Sequence, residues 1–251
     1  MHLRFSFDRV HHERYKLAIS LFFLAIAISS CTFGNAGTPS PTHLSVQQAP
    51  NAHLSYVALG ASDGWGTGAQ DPDDDNWPVD LTQKLGNQTH LVNLGIPGIT
   101  LHDALNIELP VALDVHPDLV TIWLAVDDLL ANTPIDSYAH DLEFLLIRLQ
   151  SSFPHVHIAL ANIPDLTLLP RFRTDDQNTV HSLQLQVITY NVSIENVAQR
   201  HQVVLVDLYK QWGVIAGHPE YISSDGFHPS TLGYHQLAEI FYQTLKATIH
   251  L

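Results

Sequence analysis

Five short apolar segments follow one another along the chain, separated by segments with a helical pattern. The predicted strands are residues 54–59, 90–94, 119–125, 156–161 and 203–206. Each is apolar on both faces, as strands of a buried parallel sheet tend to be. Between them apolar side chains recur at helical spacing, as they do at Tyr138, Leu142, Leu145, Leu146 and Leu149. The alternation predicts a three-layer α/β/α domain with a mostly parallel five-stranded sheet.

A different pattern precedes the first predicted strand. Residues 1–16 are polar and carry four basic side chains, whereas residues 17–28 form an almost unbroken apolar run. That run is short for a membrane-spanning helix, which needs roughly 20 residues, and is typical of a secretory signal. The sequence Ile28-Ser29-Ser30-Cys31 follows and resembles a bacterial lipobox, in which the Cys is lipid-modified and becomes the mature N-terminus. The alternative is an uncleaved anchor helix with an incidental Cys.

Three segments result from this interpretation. Residues 1–30 are predicted to be a lipoprotein signal peptide, residues 31–52 a flexible tether rich in Gly, Pro, Ser and Thr, and residues 53–251 the folded domain. Removal of the signal peptide leaves seven basic and 23 acidic residues, a formal charge of −16. The protein is therefore expected to be exported and lipid-anchored through Cys31 at the bacterial cell envelope.

The amino-acid composition excludes several classes of protein. Of the 251 residues, 45% are hydrophobic, which is enough for a packed core. The 11 basic residues stand against 25 acidic ones, and this balance argues against nucleic-acid binding, which depends on clustered Lys and Arg. A single Cys excludes an internal disulfide and a Cys-based zinc cluster.

Two loops after predicted strands carry candidate chemistry, because ligands bind at the carboxyl ends of strands in such folds. The first reads GASDG (60–64), and a Ser on a sharp strand-to-helix turn can present its hydroxyl as a nucleophile. Taken alone, this segment also fits a helix cap by Ser62 or Asp63. The second loop reads SDGFHP (224–229). Asp225 there can fix the tautomer of the His228 ring, or can form an Asx-turn beside a surface His.

Together these two loops resemble the SGNH, or GDSL-type, hydrolase family. Two intermediate blocks match it as well. NLGIPG (93–98) resembles the block whose Gly donates a backbone N–H to the oxyanion hole, and AVDD (125–128) lies where the family has Gly-x-Asn-Asp. The resemblance covers roughly residues 54–248 and implies the flavodoxin-like SGNH hydrolase fold.

The resemblance also implies an activity. Ser62 would be the nucleophile of a serine esterase or lipase that cleaves carboxylic esters through an acyl-enzyme, with His228 as base and Asp225 as orienter. Ser62, Gly98 and Asp127 would form the oxyanion hole, and no metal or organic cofactor is implied. The expected substrates are small esters, lipids or acylated glycans, and a monomer is expected. A carbohydrate O-acetyl esterase is the alternative enzyme.

Asp127 is the main departure from the family pattern, which has Asn there. An Asn side chain donates N–H to the oxyanion, whereas an ionised carboxylate only accepts and would repel it. Loss of one such donor typically costs about 10²–10³ in rate. Either Asp127 is held protonated by burial beside Asp128, or the N–H groups of Ser62 and Gly98 act alone. A further alternative is a non-catalytic binding lipoprotein that keeps the fold.

Overall fold

The computed structural model describes residues 54–248, and the predicted signal peptide, tether and Cys31 lie outside these residues. The strands are β1 (Leu54–Gly60), β2 (Thr89–Asn93), β3 (Leu119–Trp123), β4 (His157–Ala161) and β5 (Val204–Val206). The helices are α1 (Ser62–Trp65), α2 (Trp77–Leu85), α3 (Leu101–Val115), α4 (Val126–Leu130), α5 (Ile135–Ser152), α6 (Gln177–His201), α7 (Leu208–Ala216) and α8 (Thr231–Thr248). Short 3-10 turns lie at Leu166–Leu168, Pro170–Phe172 and Pro219–Tyr221.

All five strands pair in parallel, in the order β2-β1-β3-β4-β5. Helix α5 contacts both α3 and α6, whereas α8 contacts both α2 and α7. Because crossovers between parallel strands are right-handed as a rule, the strand order assigns these two groups of helices to opposite faces of the sheet. The predicted three-layer α/β/α fold is therefore confirmed, and the sheet is wholly rather than mostly parallel.

The core lies on both faces of the central strands. The five apolar side chains predicted to share one face of α5 are buried, and Trp77 of α2 stacks on Phe241 of α8 with ring centroids 4.2 Å apart. The expectation that every strand is buried on both faces is wrong for the two edge strands: all five residues of β2 are half-buried, and so are Val204 and Leu205 of β5. The reason is their position, because each of these strands has a neighbouring strand on one side only. Within residues 54–248, no helix has both the length and the apolar composition that a membrane crossing requires.

The topology itself marks the place for a ligand. The strand order reverses between β1 and β3, because β2 lies on one side of β1 and all later strands lie on the other. In doubly wound sheets, ligands bind outside the carboxyl ends of the strands at this reversal. Gly60 at the end of β1 is in register with Trp123 at the end of β3. The segments that follow these two residues contain Ser62 and Asp127.

Candidate active site

Ser62 is the first residue of α1, immediately after the turn that leaves β1. The N-cap residue is Ala61, and no side chain caps this helix. The interpretation of Ser62 or Asp63 as a helix cap is therefore wrong. The hydroxyl of Ser62 instead lies 3.0 Å from Nε2 of His228.

The loop before α8 brings Asp225 and His228 together in two ways. Oδ1 of Asp225 accepts hydrogen bonds from the backbone N–H groups of Phe227 and His228, at 2.7 and 2.9 Å. Oδ2 lies 2.6 Å from Nδ1 of His228. The two interpretations of this loop are thus compatible, since one carboxylate forms an Asx-type turn with one oxygen and contacts the imidazole with the other.

The ionised state of Asp225 fixes the tautomer of His228. Burial alone would raise the pKa of Asp225, but hydrogen bonds from His228, Phe227 and Ser223 outweigh it and lower this pKa to about 2. An ionised carboxylate can only accept, so Nδ1 of His228 must carry the proton in that contact. Nε2 is then free to accept a hydrogen bond from the hydroxyl of Ser62.

The backbone N–H groups of Ser62 and Gly98 both lack an acceptor within residues 54–248. The N–H of Ser62 belongs to the first turn of a helix, where intrahelical acceptors are missing. Gly98 is exposed with a φ of +80°, and its N–H reaches no acceptor among residues 54–248. The loop that carries Gly98 is tied to β1, because the N–H of Ile96 donates to the carbonyl of Gly60 at 3.1 Å.

A close backbone contact holds the same loop against the nucleophile turn. A Cβ on Gly95 would lie 2.6 Å from the carbonyl carbon of Gly64 and from the nitrogen of Trp65. The amide of Asn93 donates to the carbonyl of Gly64 at 2.7 Å and accepts from the N–H of Gly95 at 3.1 Å. Sequence reasoning singled out Gly98 in the NLGIPG block and missed Asn93 and Gly95. Their signal was the first Gly of that block, directly after a predicted strand.

Asp127 is the second residue of α4 and is half-buried. Burial raises its pKa, and the charge of His228 lowers it. Asp128 is buried and accepts from the backbone N–H of Leu101 at 2.8 Å. Its pKa is also raised by burial, and the charge of Asp127 raises it further. The expected repulsion between like charges therefore raises the pKa of Asp128, whereas the pKa of Asp127 is raised by burial.

Asp63, the next residue after Ser62, lines a cleft together with Phe227 and Pro229, the residues on either side of His228 in the sequence. The walls of this cleft include Trp123, Leu166, Leu169, Trp212 and Phe227. The empty space in the cleft, open mouth included, is about 250 Å³. Burial raises the pKa of Asp63 to about 6, and the charges of Asp127 and Asp225 act in the same direction against that of His228. Sequence reasoning considered Asp63 only as a helix cap.

The loop between α1 and α2 contains the acidic segment DPDDDN (71–76), and hydrogen bonds tie this segment to the rest of the fold. Oδ2 of Asp75 accepts from the hydroxyl of Thr231 at 3.1 Å, and Asn76 caps α2 by accepting from the N–H of Val79 at 3.0 Å. Across residues 54–248, no three His, Cys, Asp or Glu side chains converge in a way that could hold a metal ion.

Comparison with known families decides the classification. The model of the GDSL-like lipase/acylhydrolase family matches residues 58–236, which include the end of β1, the Asp127 segment and the Asp225–His228 loop. The chain belongs to the GDSL-like lipase/acylhydrolase family. Membership places it among hydrolases that act on esters. No curated protein sequence matches the chain.

Solved structures share the fold. TesA is 22% identical with a TM-score of 0.63, over 78% of this chain and 100% of that one. The psychrotrophic esterase EstA from Pseudoalteromonas sp. is 20% identical with a TM-score of 0.61, over 77% of this chain and 97% of that one. The acetyl xylan esterase AlAXEase is 17% identical with a TM-score of 0.61, over 78% and 100%. At these identities the likeness shows the fold of this GDSL-like chain and no more.

Proposed function

We propose that this GDSL-like chain is a serine hydrolase that cleaves carboxylic esters through an acyl-enzyme on Ser62. The observation that carries the proposal is the continuous hydrogen-bonded series from Ser62 through His228 to Asp225, with separations of 3.0 and 2.6 Å. A nucleophile, a base within hydrogen-bond reach and a carboxylate that orients the base are the parts that covalent acyl transfer needs.

The first half-reaction follows from this geometry. The hydroxyl oxygen of Ser62 attacks the ester carbonyl carbon while Nε2 of His228 takes the hydroxyl proton. The imidazolium so formed donates through Nδ1 to Asp225, whose low pKa keeps it an anion throughout. His228 then passes the proton to the leaving alcohol, and the acyl group stays on Ser62. A water molecule then attacks the acyl carbonyl while Nε2 of His228 takes its proton, and return of that proton to the oxygen of Ser62 breaks the acyl bond and releases the acid.

The charge on the carbonyl oxygen is stabilised by backbone donors. The N–H groups of Ser62 and Gly98 fill this role, since neither is used inside the described fold. Asp127 adds a third donor only while it is protonated, a state that its burial favours. We therefore expect a working but slow enzyme whose rate falls as Asp127 ionises.

Hydrolysis of p-nitrophenyl esters tests the proposal. The full-length chain in an ester-free detergent is compared with Ser62→Ala on acetyl, butyryl, octanoyl and palmitoyl esters. We expect turnover by the parent and a loss of at least about 10³-fold in Ser62→Ala. Equal background rates for the two proteins on every ester would refute the serine mechanism.

A second candidate is a non-catalytic binding protein, and Asp127 is the observation that favours it. A carboxylate in place of an amide at the oxyanion position removes a donor that acyl transfer uses. Under this hypothesis, radiolabelled esters bind the parent and Ser62→Ala equally well and are recovered intact. Release of acid by the parent alone supports the esterase.

The substrate class is tested with the same two proteins. One neighbour in fold is an acetyl xylan esterase, so acetylated xylan is added to the ester series, with released acetate as the readout. A preference for acetyl esters together with release from xylan supports the carbohydrate O-acetyl esterase. A preference for octanoyl or palmitoyl esters supports a lipase.

Attachment to the cell envelope is also proposed, through a lipid on Cys31. The support is the apolar run of residues 17–28 followed by Ile28-Ser29-Ser30-Cys31. We expect the parent in the membrane fraction of a bacterial host and labelled by radioactive palmitate. Cys31→Ser should lose the label. A parent chain without label would contradict the proposed lipoprotein.

A further inference from the structure

We propose that a groove along helix α6 binds the alcohol part of the ester, and that this part is a neutral sugar chain. The walls of this α6 groove include Phe172, Asp175, Asn178, Ser182, Leu183 and Gln186. The inference rests on the proposed function, in which His228 passes a proton to the oxygen of the leaving alcohol. That oxygen must lie at Nε2 of His228, so the rest of the alcohol extends over the surface around this imidazole.

A series of aromatic contacts joins His228 to the α6 groove. The imidazole of His228 meets the ring of Phe227 edge-on, with ring centroids 5.0 Å apart. The ring of Phe227 meets that of Phe172 in the same manner at 6.1 Å, and Phe172 is a wall of the groove. The backbone holds this arrangement, because the N–H of Arg171 donates to the carbonyl of Gly226 at 3.0 Å. An alcohol that extends from His228 over these two rings reaches the groove.

The α6 groove presents a stripe of uncharged polar side chains. Asn178, Ser182 and Gln186 follow one another at intervals of four residues, so they share one face of α6 over a length of about 12 Å. All three side chains are exposed, and none of them is hydrogen-bonded to another group within residues 54–248. The empty space in the groove, open mouth included, is about 760 Å³. These polar groups are therefore free to bond to a ligand.

This lining fits the hydroxyl groups of a sugar. Side-chain amides and hydroxyls both donate and accept hydrogen bonds, as sugar hydroxyls do. Phe172 and Leu183 are half-buried and offer apolar contacts for the C–H groups of a sugar ring. A long alkyl alcohol would form no hydrogen bond with the polar stripe. An anionic alcohol is disfavoured, because the described walls contain the carboxylate of Asp175 and no Lys or Arg.

Binding is measured separately from catalysis, by calorimetry of the full-length Ser62→Ala chain with cellotetraose, xylotetraose and mannotetraose. We expect at least one of these neutral tetrasaccharides to bind. Adding Asn178→Ala and Gln186→Ala should weaken that binding at least about fivefold, because two hydrogen-bonding side chains are lost. The matched control is Asn196→Ala with Gln199→Ala, which removes the same exposed residue types from the other end of α6 and should leave the affinity unchanged.

A kinetic comparison links the α6 groove to the reaction. In the active chain, Asn178→Ala with Gln186→Ala should lower kcat/KM for an acetylated tetrasaccharide at least about fivefold, mainly through KM. The same variant should leave kcat/KM for p-nitrophenyl acetate unchanged, because p-nitrophenol carries no sugar hydroxyls. Ser182→Trp fills the groove instead of removing its polar groups, and it should give the same pattern on the two substrates.

The outcomes separate this inference from the proposed function. Failure of every tetrasaccharide to bind, or equal affinities in the Asn178/Gln186 variant and its control, would overturn the assignment of the α6 groove. Equal losses on acetylated tetrasaccharide and p-nitrophenyl acetate would overturn it as well, since the substitutions would then act on the site as a whole. Equal activity of the parent and Ser62→Ala would overturn the serine mechanism and leave the binding result valid.

Discussion

At the scale of single residues, Asp127 distinguishes this site from the family pattern. A neutral carboxyl can donate a hydrogen bond to the oxyanion, whereas the anion repels it. We predict that Asp127→Asn increases kcat/KM for p-nitrophenyl esters by about tenfold or more. The gain should grow as pH rises. Burial raises the pKa of Asp127, but the parent side chain still ionises at higher pH and then loses its donor, whereas the Asn keeps its N–H at every pH. The measurement is kcat/KM from pH 5 to 9.

The control for that experiment is Ser62→Ala combined with Asp127→Asn, which should stay at background because the gain must depend on the nucleophile. An Asp127→Asn enzyme that is no faster than the parent at any pH would show that Asp127 does not limit the rate.

Site residues that lie in short motifs with a characteristic spacing were predictable from the sequence. Ser62, Asp225 and His228 lie in two short segments whose chemistry can be recognised without a fold. Asp63 was visible in the same segment, but its cleft is built from residues of distant elements such as Trp123 and Trp212. No local pattern reports such a neighbourhood, because it depends on tertiary packing.

At the scale of elements, the contact between the β2–α3 loop and α1 depends on Gly95. A methyl group there would meet backbone atoms of Gly64 and Trp65, which cannot rotate away. We predict that Gly95→Ala pushes the Gly98 loop outward, lowers kcat by at least about tenfold and destabilises the fold by about 1–3 kcal/mol. Steady-state kinetics and thermal unfolding measure the two effects.

Gly213→Ala in helix α7 is the matched control, because a Cβ at Gly213 meets nothing within 4 Å. It should leave kcat unchanged and stabilise the helix by up to about 1 kcal/mol. Similar losses of kcat in both variants would contradict the role of the Gly95 contact.

Glu108 joins α3 to the end of β1 and was not predictable from the helical pattern. Its carboxyl accepts from the N–H of Gly60 at 3.2 Å, it is 1% exposed, and its second oxygen has no partner within the described residues. Burial raises its pKa from 4.5 to about 8, and the Gly60 contact only partly offsets this. The turn that presents Ser62 thus begins at Gly60, whose backbone N–H donates to the buried carboxyl of Glu108.

Linkage gives the sign of the stability effect. The unfolded chain releases the Glu108 proton near pH 4.5, whereas the folded chain keeps it until about pH 8, so the parent loses stability across that interval. Glu108→Gln keeps an acceptor for Gly60 but cannot ionise. We predict that the free energy of unfolding of Glu108→Gln, relative to that of the parent, increases between pH 5 and pH 8 by up to about 4 kcal/mol. Urea unfolding measures this difference, with exposed Glu195→Gln in helix α6 as control, and a difference that is flat in pH would contradict the prediction.

The order and type of the elements were predictable because central parallel strands are apolar on both faces and the helices on one. Predicted and observed strands differ by only one or two residues at their ends. The burial of β2 was not predictable, since the position of a strand within a sheet depends on strand order. That order depends on which strands pair, and the apolar pattern of a single strand does not encode it.

At the scale of the whole molecule, the acidic balance acts on the site as an electric field. The described residues include all seven basic and 23 acidic side chains that follow residue 30. Of those carboxylates, Asp225 lies 2.6 Å from Nδ1 of His228, and Asp63 and Asp127 interact electrostatically with the same imidazole. One cation opposes them nearby, since the guanidinium of Arg171 lies 5.5 Å from the centre of the Phe227 ring. The net field should favour substrates with a positive leaving group.

Acetylcholine and 3,3-dimethylbutyl acetate differ in charge but hardly in shape, so their relative kcat/KM measures this field. We predict that acetylcholine is preferred at low ionic strength and that the preference falls several-fold near 0.5 M salt, where the Debye length drops to about 4 Å. Arg171→Gln should increase the low-salt preference, because it removes the opposing cation. A ratio that is independent of salt would mean that contacts with the alcohol group, rather than the acidic field, select the substrate.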